Sequence, residues 1–339
     1  VIVIHYSLVA AHDQYVSPAL RERINASPAL KAVFIQDEYR HIDRTIAAFK
    51  TIGIDGLFTC IPEPAIEQVY SESRLPNVRK KNVLTGYVDK RLLTHKTKPF
   101  EARSVDVGYR ARKVPAWLGD LGQEKWEIGQ RFLRESRAFG LICDISYREE
   151  ERLYGDAWIH FVGNCKAFLG VESGSSVFDF EGVIQGKVDQ AVASDPSLTY
   201  ATLKERYFSD ADGLINQRQI SPRCFEAAAL RTLMILYEGS YSNLMEPWRH
   251  YVPLAKDHSN MAEGVVALRT PEKVKPIIDR AYYEVACNPE NQFSRHAEVV
   301  AGVLREEHAK RIVTRAVPYD RQELGRLLIP DSAATRRRT

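Results

Sequence analysis

The residues able to do chemistry in this 339-residue chain fall into two sets of different character. In the early part, Gln36-Asp37-Glu38-Tyr39-Arg40 places adjacent carboxylates behind an apolar run, and His12 stands beside Asp13. A carboxylate whose proton affinity is raised by burial or by its neighbour can act as a general base, and so can a histidine oriented by an acid. The same groups also suit a capping and ion-pair cluster, and His5 suits a satisfied core position. The later set is cationic. Residues 106–113 (DVGYRARK) run into Gly108, which permits close backbone approach, and then into Arg110, Arg112 and Lys113. Three cations within four residues could hold a diphosphate, or form a solvated basic turn. Gly122-Gln123-Glu124-Lys125 opens the next helical stretch and can add Lys125 to the same place.

The most informative segment is 220–238, ISPRCFEAAALRTLMILYE. Ser221 is a suitable helix cap, and Pro222 suits the first helical position, where its missing N–H costs nothing. The free N–H groups of such a helix start attract anions. Arg223 in the first turn opposes the helix dipole, so its presence there invites an anion as partner. Glu226, one turn in, is placed to accept hydrogen bonds from ribose hydroxyls. A plain packed helix with a surface Arg and Glu is the alternative. Glu172-Ser173-Gly174-Ser175-Ser176 closes an apolar run as a polar ligand loop or a turn.

The elements that must position these groups follow from apolar runs alternating with helical spacing. Strands are expected at 1–5, 32–35, 56–59 and 82–84, with helices at 18–24, 42–49 and 63–70. A second series has strands at 105–107, 141–145, 166–171 and 232–237, with helices at 123–139, 150–162 and 222–231. Material through 207 and from about 261 onward reads as helical. Strands separated by helices imply parallel sheets covered on both faces. The expected class is therefore α/β, with two Rossmann-like parallel-sheet domains facing a cleft. We read residues 1–95 as the first domain, incomplete at its start, and 96–103 as a linker. Residues 104–300 form the second domain, and 301–339 a terminal helix and basic tail. Ligands of such sheets bind beyond the carboxyl ends of the strands, which selects the loops carrying both residue sets.

Charge excludes one class of partner. There are 47 Lys+Arg against 44 Asp+Glu, and the whole excess sits in Arg336-Arg337-Arg338. A neutral body argues against a nucleic-acid binder. It hides a local excess: residues 79–113 hold eleven Lys/Arg against Asp89, Glu101 and Asp106. Five scattered cysteines without a Cys-x-x-Cys pair read as reduced thiols of a cytoplasmic protein. No apolar run is long enough for a membrane span. There is no Gly-x-Gly-x-x-Gly, P-loop, Gly-x-Ser-x-Gly or His-Glu-x-x-His motif. Asp210-Ala211-Asp212-Gly213 reads as a turn before it reads as a metal pair, so no metal site is expected.

SPRCFEAAALRT (221–232) resembles the Glu-Ala helix of nucleotide-sugar glycosyltransferases of the two-domain GT-B type, above all the group-1 and spore-coat-maturation-like members. DVGYRAR (106–112) is more loosely similar to their donor-domain phosphate loop. The resemblance implies donor binding by Gly108, Arg110, Arg112, Lys125, Ser221 and Arg223, with Glu226 on the ribose of a UDP- or GDP-linked sugar. It implies that no metal or other cofactor is needed. It also places a hydroxyl acceptor (glycan, lipid or small molecule) on the first domain, in the cytoplasm or peripherally at the inner membrane, in glycan or polysaccharide synthesis. Asp37, His12 and Glu172 are the catalytic candidates. Two departures stand out. The family's earlier acid, eight positions before Glu226, is Arg218, for which Glu172 could substitute, and the Gly after the helix is replaced by Arg231-Thr232. A degenerate, non-catalytic scaffold and a nucleotide-sugar epimerase are the alternatives.

Overall fold

The computed structural model describes residues 1–314; the terminal arginines lie outside them. The first sheet holds β1 (Ile2–Ile4), β2 (Lys31–Ile35), β3 (Gly56–Thr59) and β4 (Arg79–Asn82), all parallel and in chain order. Its crossovers are α1 (Pro18–Ala26), α2 (Ile42–Ile52) and α3 (Glu63–Val69). Ile42, Ile46, Phe49 and Ile52 recur at helical spacing and are buried, which seats α2 on the sheet. Gly53, at φ 66°, ends that helix by donating its N–H to Phe49 and Lys50.

The single-turn α4 (Lys90–Leu93) precedes the stretch read as a linker, which ends in a structural pin. Arg103 is only 4% exposed. Its guanidinium donates to the carbonyls of Cys165 (2.8 Å) and Leu230 (3.1 Å) and to Thr232 Oγ1 (2.8 Å). Burial pushes its pKa down to about 10, and these acceptors compensate the desolvated charge.

The second sheet holds β5 (Val105–Arg110), β6 (Cys143–Ser146), β7 (Cys165–Gly170), β8 (Leu233–Tyr237) and β9 (Val252–Leu254), in the order β6-β5-β7-β8-β9 and all parallel. Its helices are α5 (Gly119–Glu135), α6 (Gly155–Asn164), α7 (Val183–Ser194), α8 (Tyr200–Tyr207), α9 (Pro222–Ala229), α10 (Met261–Leu268) and α11 (Pro271–Arg280). The chain leaves β5 for β6 on one side and returns to β7 on the other. That reversal is the switch point at which open α/β sheets form their crevice.

Two segments cross back to the first domain. Residues 173–182 reach over after β7: Asp179 N–H donates to Tyr39 O (2.8 Å), Asp43 N–H to Phe180 O (3.0 Å), and Phe178 is buried in the first core. Helix α12 (Phe293–Thr314) lays Val300, Val303 and Leu304 against Ala32, Phe58 and Val83. The two Rossmann-like parallel-sheet domains thus face one cleft. All five cysteines are free, and among the described residues no helix is long and apolar enough to cross a membrane.

Candidate functional site

The cleft holds a groove of two connected lobes at the carboxyl ends of β5, β7 and β8. The inner lobe, about 260 Å³, is lined by Arg112, Lys125, Ser221 and Arg223 from the second domain, and by Asp37 and Tyr39 from the first. The outer lobe, about 530 Å³, shares Arg112, Ser221 and Arg223 and adds Arg110, Arg148, Arg152, Tyr154, Trp158 and Glu226. Seven of the ten residues singled out from the sequence therefore meet in one groove: Asp37, Arg110, Arg112, Lys125, Ser221, Arg223 and Glu226.

Helix α9 supplies the centre. Ser221 occupies its cap position with extended backbone and Pro222 opens it, as the sequence predicts, but the Ser221 hydroxyl makes no capping bond. That hydroxyl lies on the groove wall. Arg223 donates to the carbonyl of Arg110 and stacks its guanidinium 5.2 Å from the Trp158 ring centre. Glu226 accepts from the Trp158 indole N–H at 2.7 Å. Burial raises the Glu226 pKa, against that hydrogen bond and the nearby Arg223 charge. Trp158 therefore orients both α9 side chains, and no spacing signal in the sequence pointed to it.

Lys125 projects from α5 into the inner lobe. Burial lowers its pKa, the Arg223 and Arg112 charges lower it further, and Asp37 opposes them. Arg112 makes no ion pair among the described residues. Arg112, Lys125 and Arg223 thus cluster at the inner lobe, with Asp37 the one carboxylate among its lining residues.

Arg110 is engaged within its own domain. It touches the outer lobe, but its guanidinium is held by Asp144 (2.8 Å) and by the carbonyls of Glu151 and Asp144, over the Phe161 ring. It braces β5 against β6 and is not free to clasp a phosphate. Gly108 lines neither lobe. It lies inside β5, where a Cβ would stand 2.3 Å from Cys165 Sγ. Its smallness serves packing of α6 and β7, not approach of a phosphate.

Glu172 lines neither lobe. Only 2% exposed, its carboxylate accepts from Ser240 N–H and Oγ–H and from Tyr241 N–H, and lies 3.4 Å from Arg218. It ties the loops after β7 and β8 together and is spent there. Arg218 also faces Glu124 at 3.8 Å.

On the first-domain side, Asp37 sits at φ 54° in a left-handed turn after β2, exposed to the groove, and accepts from Tyr39 Oη–H at 3.1 Å. Its neighbour Glu38 points inward instead. It is 2% exposed and accepts from Thr59 Oγ1–H (2.6 Å), Cys60 N–H (2.7 Å) and Tyr70 Oη–H (2.9 Å). Burial pushes its pKa up to about 7 against those hydrogen bonds. The paired carboxylates are thus divided, one for the cleft and one for anchoring the turn. His12 lines a separate pocket, and its expected orienter Asp13 is bonded to Arg21 at 2.8 Å. Burial, helped by Arg44 and Arg40, lowers the His12 pKa.

Residues 246–251 close the core: Tyr251 is fully buried and His250 bonds Glu284 at 2.8 Å. Asp210–Gly213 form a turn, with Asp212 paired to Lys204 at 2.8 Å. Among the described residues no group of three or more His, Cys, Asp or Glu is arranged to hold a metal.

No protein-family model and no curated protein matches the chain. Solved structures do resemble it. A crystal structure of the GtfA/B complex shares 11% identity at a TM-score of 0.45, over 90% of this chain and 57% of the other. For TarM the values are 11%, 0.47, 85% and 53%. For an alpha-glucosyltransferase in complex with UDP-glucose and DNA containing an abasic site they are 9%, 0.49, 88% and 79%. The chain spans a little over half the length of the first two.

Proposed function

We propose that this chain is a glycosyltransferase that moves a sugar from a nucleotide-diphosphate donor to a hydroxyl acceptor, with no metal ion required. The observation that carries this reading is the charge order along one groove: Glu226 in the outer lobe, then Arg223, Arg112 and Lys125, then Asp37 from the facing domain. The resemblance of residues 221–232 to the donor helix of GT-B transferases supports the same direction.

In this reading Glu226 accepts hydrogen bonds from the donor's ribose. Arg223, Arg112 and Lys125 hold the diphosphate where a divalent ion would otherwise balance its charge. The acceptor oxygen bonds to the anomeric carbon as the bond from that carbon to the diphosphate oxygen breaks. The bonding pair leaves on the phosphate, and the acceptor's proton passes to the Asp37 carboxylate. Fixed cations aimed at the departing oxygen stabilise the charge that develops there, in a site partly screened from water. Glycan or polysaccharide assembly is the setting such a reaction serves.

Calorimetric titration with UDP and GDP in the presence of EDTA tests the donor half, and nucleotide release from UDP- and GDP-sugars tests turnover. Binding of neither nucleotide would overturn the proposal. Arg218, ion-paired where the family carries its earlier acid, favours a second reading, a nucleotide-binding scaffold without turnover. Nucleotide binding without release of sugar from any donor, with or without acceptor, would select it.

A further inference from the structure

We infer that the acceptor is a phenol or alcohol whose hydroxyl is carried on a small apolar body, seated in the pocket between the loop after β1 and the carboxyl end of β2. This deepens the transferase reading and rests on it. The pocket has a volume of about 160 Å³. That is close to the size of a dry cavity able to take one benzene ring. Its walls include Leu8, Val33, Ile35, Ile42 and Phe49, and its polar groups include Gln36 and Asp37, with His12, Arg40, His41 and Thr45 also in the lining. Asp37 is the hinge of the argument, because it lines this pocket and the inner lobe of the groove alike. A hydroxyl held at that carboxylate faces the donor, while the body behind it points into apolar walls.

The rim supports the same class. Tyr6, Leu8 and Val9, all lining residues, are 46%, 44% and 40% exposed. Scattered exposed apolar residues are ordinary, but a contiguous group beside a pocket marks a binding surface. A sugar acceptor would need partners for several hydroxyls, and the Leu8, Val33, Ile35, Ile42 and Phe49 walls offer none. The titratable groups nearby do not change this. Glu38 and Tyr70, at the pocket floor, are bonded to each other. Arg40 stands over the Trp117 ring at 5.7 Å. His12 is held toward its neutral form by burial and by Arg44, Arg40 and His41, and His41 packs against Gly182.

The test uses 4-ethylphenol as the apolar hydroxyl, glucose as the polar one, and the full chain. Wild type is expected to bind 4-ethylphenol saturably and glucose at least tenfold more weakly, by roughly the transfer value of a buried ring. Leu8→Asp at the exposed rim and Ala11→Phe, which fills the pocket, are each expected to weaken 4-ethylphenol about tenfold. Their UDP and GDP affinities and melting temperatures should match wild type. If Ala11→Phe does not fold, Leu8→Asp carries the result alone. Equal binding of glucose and 4-ethylphenol, or 4-ethylphenol binding indifferent to Leu8→Asp, overturns the inference and leaves the donor site untouched. Binding of 4-ethylphenol without binding of either nucleotide overturns the transferase reading, while the pocket's preference stands.

Discussion

The two sheets build their ligand surfaces by different means. The second sheet reverses direction between β5 and β7, and the crevice that opens there is lined by strand ends and the first turn of α9. The first sheet runs β1 to β4 without a reversal, so topology opens no crevice in it. Its pocket comes from a loop folded over the sheet end and from the left-handed turn at Asp37. One surface is thus set by architecture and gathers cations. The other is set by local chain conformation and combines a single exposed carboxylate with apolar walls. Under the proposed function, the first would be a fixed anion site and the second a more easily remodelled acceptor site.

Substitutions on either side should separate these roles. The largest effect is expected for Asp37→Asn, which removes the proposed proton acceptor: turnover should fall by about a thousandfold with nucleotide affinity unchanged. Steady-state rates beside a UDP or GDP titration check this, and equal loss of both would merge the two surfaces into one. Next is the anchor behind Asp37. Folded Glu38 keeps its proton up to about pH 7, whereas the unfolded carboxyl releases it near 4.5. The folded state therefore binds more protons across that window, and stability falls as pH rises through it, by roughly 3 kcal/mol in all. Urea unfolding between pH 4.5 and 7 should show this slope, and Glu38→Gln should flatten it.

On the donor side the signs reverse. Arg223→Ala should weaken nucleotide binding roughly 10- to 100-fold, the loss of one or two charge-assisted hydrogen bonds, with the pH slope of stability intact. Calorimetry with UDP and GDP reads it, and an unchanged affinity would remove α9 from the site. The smallest change is expected for Glu226→Gln, which keeps an acceptor on Trp158: nucleotide affinity should fall about fivefold. A 2′-deoxy nucleotide should erase that difference if Glu226 meets the ribose.

Sequence pattern revealed the two α/β domains and the α9 helix start because both rest on short-range signals. The central strands are near-continuous apolar runs, and Ser221-Pro222 marks a helix start locally. Edges were harder. β4 is Arg-Lys-Lys-Asn, placed three residues before the expected 82–84, since edge strands carry charge in place of an apolar run. β9, three residues with Pro253 at its centre, escaped notice for the same reason. The helix expected at 150–162 begins only at Gly155, because the Glu149–Glu151 run forms a tight single turn instead. Among the site residues, several have surroundings that depend on partners far along the chain. Glu172 is fixed by Ser240 and Tyr241, Gly108 by Cys165, and Trp158 earns its place only by meeting Glu226, 68 positions away. The pair Arg148 and Arg152 after β6 was a readable sign of the outer lobe.

The returning helix α12 has a consequence for how the chain can be divided. Val300, Val303 and Leu304 cover Ala32 and Phe58 of the first sheet, and Phe178 and Ile215 complete the core under α2. Cutting the chain at residue 103 would strip that sheet of a wall and leave a fragment with bare aromatic and aliphatic surface. The halves have separate sheets but a shared fate: they are to be made, purified and inherited together.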